Sequence, residues 1–128
     1  MKETNKITNF TQLDAWKEGH KLVLLIYKIT KRFPKEELFG LTSQIRRCAV
    51  SITSNIAEGF SRQSYKEKLQ FYSMALGSLT ELQNQLYIAK DVLYITDEVF
   101  QTILSQSITV HKILNGLIKS SKTIIYNS

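Results

Sequence analysis

Along the first third of the chain, Leu13, Trp16, Val23 and Tyr27 recur at multiples of three and four residues, with His20 completing the stripe. A second stripe runs beside it through Leu22, Ile26, Ile29 and Phe33. Both follow the 3.6-residue period of an amphipathic helix and predict one over about residues 11–33. Thr11 is its candidate N-cap, with Asp14 three residues on and Phe10 in the staple position. Pro34 ends it, because proline disfavours helical geometry in the residue before it. Leu41, Ile45, Cys48, Ile52 and Ile56 predict a second helix over about 42–59, with Gly59 as a candidate C-cap. Ser64 and Glu67 have capping-box spacing and open a third, over about 64–93, with Leu69, Tyr72, Leu76, Leu79, Leu82 and Leu86 as its core face. Thr96, followed by Asp97 and Glu98, caps a fourth over about 96–121, whose stripe is Val99, Ile103, Val110, Leu114 and Leu117. Four amphipathic helices with short turns predict an all-α fold, an antiparallel up-down four-helix bundle spanning residues 10–121. Residues 1–9 read as a flexible N-terminus and 122–128 as a C-terminal tail.

The second helix departs from the usual pattern of a solvated surface. From Cys48 to Ala57 it carries no charged residue. At ~100° per residue, Gln44, Arg47, Ser51, Asn55, Glu58 and Arg62 fall on one side, away from Ile45, Cys48, Ile52 and Ile56. Val50, Thr53 and Ala57 occupy the flank between them. Charge is confined to the ends of the polar stripe, and its middle is small and neutral. Such a helix is expected to be covered on more than one side. The small stretch Ala75–Ser78 on the third helix is a matching surface. Asn55 and Glu58 then need polar partners from a neighbouring helix, a neighbouring subunit or a local residue such as Arg62.

The chain has 128 residues, 43% of them apolar, enough for one domain with a core. Its formal net charge is +6. That balance permits contact with nucleic acid or another anionic surface without requiring it. Lys17, Lys21, Lys28, Lys31 and Arg32 share one sector of the first helix, and Lys35 follows. These six are the candidate phosphate contacts, although their stripe lacks aromatic interleaving and any base-reading motif. A single cysteine, Cys48, fits a reducing compartment. With no signal-peptide pattern and no stretch apolar enough to span a bilayer, a cytoplasmic location is expected.

Candidate chemistry is sparse. His20 and His111 are isolated, no two histidines stand at i, i+4, and no glycine-rich phosphate loop is present. Cys48 lies on an apolar helix face, where thiols are inert. No catalytic residue, metal ligand or cofactor is assigned, and the chain is expected not to be an enzyme.

The segments Phe33–Arg62 and Ala75–Ala89, together with Trp16, resemble the four-helix-bundle proteins named for intervening sequences in bacterial 23S ribosomal RNA genes. The resemblance spans roughly residues 10–120. That family is similar in fold to the accessory variability determinant of diversity-generating retroelements, a barrel-like homopentamer that works with nucleic acid and a reverse transcriptase. The resemblance therefore implies a ring-shaped homo-oligomer of five bundles with no known catalytic activity. It matches the family pattern at Leu41, Arg46, Arg47, Ser51, Asn55, Ala57, Glu58 and Gly59, which, with Arg62, are assigned to packing or assembly. Thr53 stands where the family has proline, Cys48 where it has alanine, and Leu93 where glycine is expected. If position 93 needs a positive φ, Leu93 is strained there by ~1–2 kcal/mol. Two functional classes follow: a non-catalytic, nucleic-acid-associated oligomer using the cations of the first helix, or an oligomeric scaffold that binds another protein without touching RNA or DNA.

Overall fold

The computed structural model describes residues 6–127. Four helices pack on one another: α1 (Asp14–Thr30), α2 (Leu41–Ser61), α3 (Tyr65–Asp91) and α4 (Asp97–Tyr126). Single 3-10 turns stand at Phe10–Gln12 and Lys35–Glu37, and no strand occurs among the described residues. The sealed core draws on all four helices. Leu22 and Ile26 come from α1, Ile45, Ile52 and Ile56 from α2, Leu79, Leu82 and Leu86 from α3, and Ile103, Val110 and Leu114 from α4. Each such side chain contributes on the order of 1.5–3 kcal/mol by leaving water. Tyr27, expected within the stripe, is exposed instead. Trp16 is half-buried, stacked on His20 with ring centroids 4.6 Å apart and edge-on to Phe10 at 5.6 Å.

The helix ends differ from expectation for local reasons. Asn9, not Thr11, is the first cap: its side chain accepts the Thr11 amide, and the Gln12 side chain accepts the Asn9 amide at 3.0 Å. This reciprocal cap closes a 3-10 turn, Leu13 is extended after it, and α1 begins only at Asp14. The Thr8 amide also donates to Gln12, at 2.8 Å, so the expected flexible stretch is tied down at residues 8 and 9; residues 1–5 lie outside the described residues. At the other end, the Arg32 and Phe33 amides reach back three residues, to Ile29 and Thr30 carbonyls, tightening the chain ahead of Pro34. In α4 no glycine or proline interrupts residues 117–126, and the helix continues to Tyr126 rather than ending near 121. Ser64 and Thr96 do cap α3 and α4, accepting the Glu67 and Val99 amides at 3.2 Å each.

Gly59 is not a C-cap. No glycine has a positive φ, and α2 runs on to Ser61, where Lys68 of α3 donates to the Phe60 carbonyl at 2.7 Å. Its role is close approach. A Cβ at position 59 would lie 2.6 Å from Tyr72 Cε1 and 3.1 Å from Phe71 Cβ. Further along the same seam, the Cys48 thiol donates to the Ser78 carbonyl at 3.0 Å, and the Ser51 and Ser78 hydroxyls share a hydrogen bond of 2.8 Å. On its other side α2 meets Gly19 of α1, whose added Cβ would sit 3.1 Å from Thr53 Cγ2. Thus α1 and α3 of the same chain cover two sides of the uncharged stretch. Val50 and Ser54, on the remaining side, are exposed. α2 passes unbroken through Thr53, whose hydroxyl donates to the Val50 carbonyl at 3.2 Å.

The turn between α3 and α4 is built on Leu93, which has φ 69° and is the sole non-glycine residue with positive φ among those described. Its amide donates to the Lys90 carbonyl at 3.0 Å, and the Tyr94 amide donates to the Ala89 carbonyl at 2.8 Å. This is the Schellman arrangement, in which glycine normally takes Leu93's place. Leu93 is 86% exposed, so little burial offsets the left-handed backbone. Leu93→Gly should therefore stabilise the fold by about 1 kcal/mol, the left-handed penalty less the extra chain entropy of glycine. Chemical denaturation checks this; a loss of stability would refute the strain.

Candidate nucleic-acid interface

The six candidate cations do not form one continuous site. Lys28, Lys31 and Arg32, at the C-terminal end of α1, line a groove of about 440 Å³ whose other residues are Ile29, Tyr94, Ile95, Thr96 and Val99. A smaller hollow of about 250 Å³ shares Lys28, Ile29 and Val99 and extends the groove to Leu25, Glu98, Thr102 and Ile103. Its apolar floor is therefore supplied by α1, the α3–α4 turn and α4. Lys28, Lys31 and Arg32 make no ion pair among the described residues. Their position at the end of α1 also places positive charge where the helix dipole is negative.

The other three cations stand apart. Lys21 Nζ is 3.0 Å from Glu18 Oε2. Glu18 also accepts Gln106 Nε2 from α4 at its carboxylate, 3.0 Å, and at its carbonyl, 2.8 Å. The Gln106 hydrogen bond, and then Lys21, hold the Glu18 carboxyl below the usual range. Lys17 is exposed on the first turn of α1, and Lys35 is exposed on the 3-10 turn after Pro34.

Tyr94 is the aromatic residue that lines this groove, whereas Tyr27, next to Lys28 in sequence, lines a different hollow. Its hydroxyl donates to Glu37 Oε2 at 2.7 Å, and its ring packs at a tilt on Phe33, with centroids 5.3 Å apart. Glu37 Oε1 in turn accepts the Leu41 amide at 2.9 Å, which caps α2 from the preceding turn. The Leu41 amide and then the Tyr94 hydroxyl hold the Glu37 carboxyl low, and the same bond pushes the Tyr94 hydroxyl up. One carboxylate thus joins the α1–α2 loop to the α3–α4 turn. Neither residue was marked by the sequence as part of a site. The available signal was Leu93, standing where a glycine was expected and setting the direction of Tyr94.

The α2 candidates occupy the opposite flank. Asn55 Nδ2 donates to the Ser51 carbonyl at 2.9 Å and to Ser51 Oγ at 3.1 Å. Glu58 pairs with Arg62 at 2.9 Å, and the Arg62 guanidinium lies 4.6 Å from the Phe71 ring centroid. The local partner expected for Glu58 is present, but Glu58 itself is exposed. Ala57 is half-buried and Gly59 buried. Arg47 is exposed beside a polar hollow of about 380 Å³ formed with Gln44, Cys48, Ser51, Ser78 and Glu81. The Cys48 thiol there is pushed up to about 12, chiefly by burial, and is therefore protonated at neutral pH.

A third surface joins the ends of α1 and α2. Tyr27, Leu38, Phe39 and Val50 are exposed around a shallow hollow of about 490 Å³ that also takes in Ser43, Arg46 and Arg47. Phe39 is 91% exposed. Arg46 is fixed within it: Nε donates to Thr30 Oγ1 at 2.8 Å, and the guanidinium lies 5.0 Å from the Tyr27 ring centroid. No group of three or more His, Cys, Asp or Glu side chains able to hold a metal occurs among the described residues. No described helix is long and apolar enough to cross a membrane.

These features define an all-α, four-helix-bundle protein. The profile of the 23S rRNA-intervening sequence protein family matches residues 11–116, and the chain belongs to that family. A protein of unknown function from the S23 ribosomal protein family of Bacteroides thetaiotaomicron VPI-5482 has a similar crystal structure. Its TM-score is 0.76 and its identity 25%, over 82% of this chain and 98% of that one. No curated protein matches the chain.

The Glu37 bridge has a pH signature. Its folded pKa is lowered, so its contribution to stability is complete above the unfolded value of about 4.3 and is lost as pH falls through the lower folded value. Melting temperatures of the wild type and Glu37→Gln should differ near neutral pH and converge below about pH 4. A gap that stays constant across that range would mean that the carboxylate charge does not hold the two loops.

Proposed function

We propose that this chain is a non-catalytic, nucleic-acid-associated protein that works as a homo-oligomer of antiparallel, up-down helical bundles. Phosphate contacts come from the cations of α1, led by Lys28, Lys31 and Arg32, with Lys17, Lys21 and Lys35 as outlying charges. The observation that carries this reading is the convergence of three cations without ion-pair partners at the mouth of one groove. The matching of Gly59 with Tyr72 and of Ser51 with Ser78 supports the antiparallel run of α2 and α3. For assembly, the support is the open third side of α2. Val50 lies in the apolar patch with Tyr27, Leu38 and Phe39, and a second copy seated there would complete the cover of the uncharged stretch. A ring of five rests on the resemblance to pentameric relatives.

A second reading keeps the oligomer and replaces nucleic acid with a protein partner, such as a reverse transcriptase. Aromatic residues beside arginines, as at Phe39, Tyr27, Arg46 and Arg47, have the composition of a protein-binding hot spot.

One experiment separates the two. The triple variant Lys28→Glu, Lys31→Glu, Arg32→Glu should lose RNA retention at an unchanged assembly mass. In the wild type, affinity should fall with salt, and neutralising three contacts should lower the log–log slope by roughly 2 for a single strand. RNA retention unaffected by the triple change would favour the protein scaffold. A wild-type solution mass equal to one 14.8 kDa chain would remove the oligomer from either reading.

A further inference from the structure

We propose that the groove between α1 and α4 takes single-stranded rather than duplex nucleic acid, with an unpaired base against Tyr94 and its flanking phosphates on Lys28, Lys31 and Arg32. This rests on the nucleic-acid reading above and names the form of its ligand.

Single strands are held by the combination of a cationic track for the backbone and an aromatic face for the base. Tyr27 and Phe33 stand among the α1 cations in the sequence, but Tyr27 lines a different hollow and Phe33 is buried. The fold supplies the aromatic face from the α3–α4 turn, since Tyr94 lines the same groove as all three cations. Its ring is fixed before any ligand arrives: Glu37 holds the hydroxyl at 2.7 Å, and Phe33 packs against the ring. A ring restrained in this way loses little freedom when a base stacks on it. The neighbouring floor, Ile29, Ile95 and Val99, is apolar and suits the face of a base rather than a phosphate.

Charge sets the orientation. The α1 wall is cationic, whereas Glu98 stands on the α4 wall of the adjoining hollow. Phosphates are therefore drawn to the α1 side, and bases point across the groove. A duplex is too wide to enter a hollow of about 440 Å³. Its bases are also paired and stacked away from the protein. It would touch only the rim cations and leave the floor empty.

The test uses the full chain and a fluorescent oligouridine, compared with an RNA duplex of equal length at two salt concentrations. The single strand should bind more tightly by about five-fold or more, the effect of losing one base–aromatic stack. Tyr94→Leu should remove that preference and leave the salt dependence unchanged. Because this variant also cuts the Glu37 bridge, photo-crosslinking of 5-iodouridine oligomers to the wild type gives an independent readout, with the modified peptide expected to contain Tyr94. Equal affinity for both forms, or crosslinks confined to residues outside the groove, would overturn the groove assignment while leaving the nucleic-acid reading intact. Absence of binding to either RNA would overturn both. Binding of a poly-glutamate peptide in place of RNA would overturn this proposal in favour of an acidic protein segment.

Discussion

The seam between α2 and α3 is the constraint on which the rest of the fold depends. At one end Gly59 lets the two backbones close until the Tyr72 ring occupies the space of a side chain. Further along, Ser51 and Cys48 meet Ser78 through a shared hydroxyl bond and a thiol–carbonyl bond. Small residues allow that separation, and a charged residue in their place would have to be desolvated or would force the helices apart. With Gly19 bringing α1 close on the other side, α2 is tightly packed against both of its neighbours. Its lack of charge between Cys48 and Ala57 is largely explained within one bundle.

The position of α2 also fixes the candidate site. Its first amide, at Leu41, is held by Glu37, and Glu37 reaches Tyr94 at the start of the chain leading into α4. Tyr94 arrives there through a strained left-handed residue, Leu93. Strain of this kind persists where surrounding contacts over-determine the backbone. Here those contacts are the two turn hydrogen bonds, the Glu37 bridge and the packing on Phe33. The ring beside the cations is consequently a product of the fold rather than of the α1 sequence.

The helices were legible because their stripes are long and their caps have strong chemistry, as at Ser64 and Thr96. Position 93 was legible too, through the expectation of glycine, and Leu93 does adopt positive φ. Other features depend on competition or distance that a linear pattern does not contain. Asn9 outcompeted Thr11 because Gln12 could complete its reciprocal cap. Gly59 resembled a stop signal, whereas its meaning lay in a ring thirteen residues along the chain on another helix. Glu37 and Tyr94 are 57 residues apart, so no local window joins them. Five of the six cations shared a helical sector, but only three line the groove; Lys21 is held instead by Glu18, which Gln106 also engages.

The seam is most directly tested by thermal denaturation of two glycine variants. Gly59 and Gly77 both lie within helices, where alanine is intrinsically favoured by up to ~1 kcal/mol. At Gly77 nothing stands within 4 Å of an added Cβ, and Gly77→Ala should raise the melting temperature. At Gly59 the same methyl would meet the buried Tyr72 ring at 2.6 Å, an overpacking cost of ~1–3 kcal/mol that outweighs the propensity gain. Gly59→Ala should therefore melt lower than the wild type. A Gly59→Ala protein as stable as Gly77→Ala would show that α2 and α3 do not meet as closely as this structure places them.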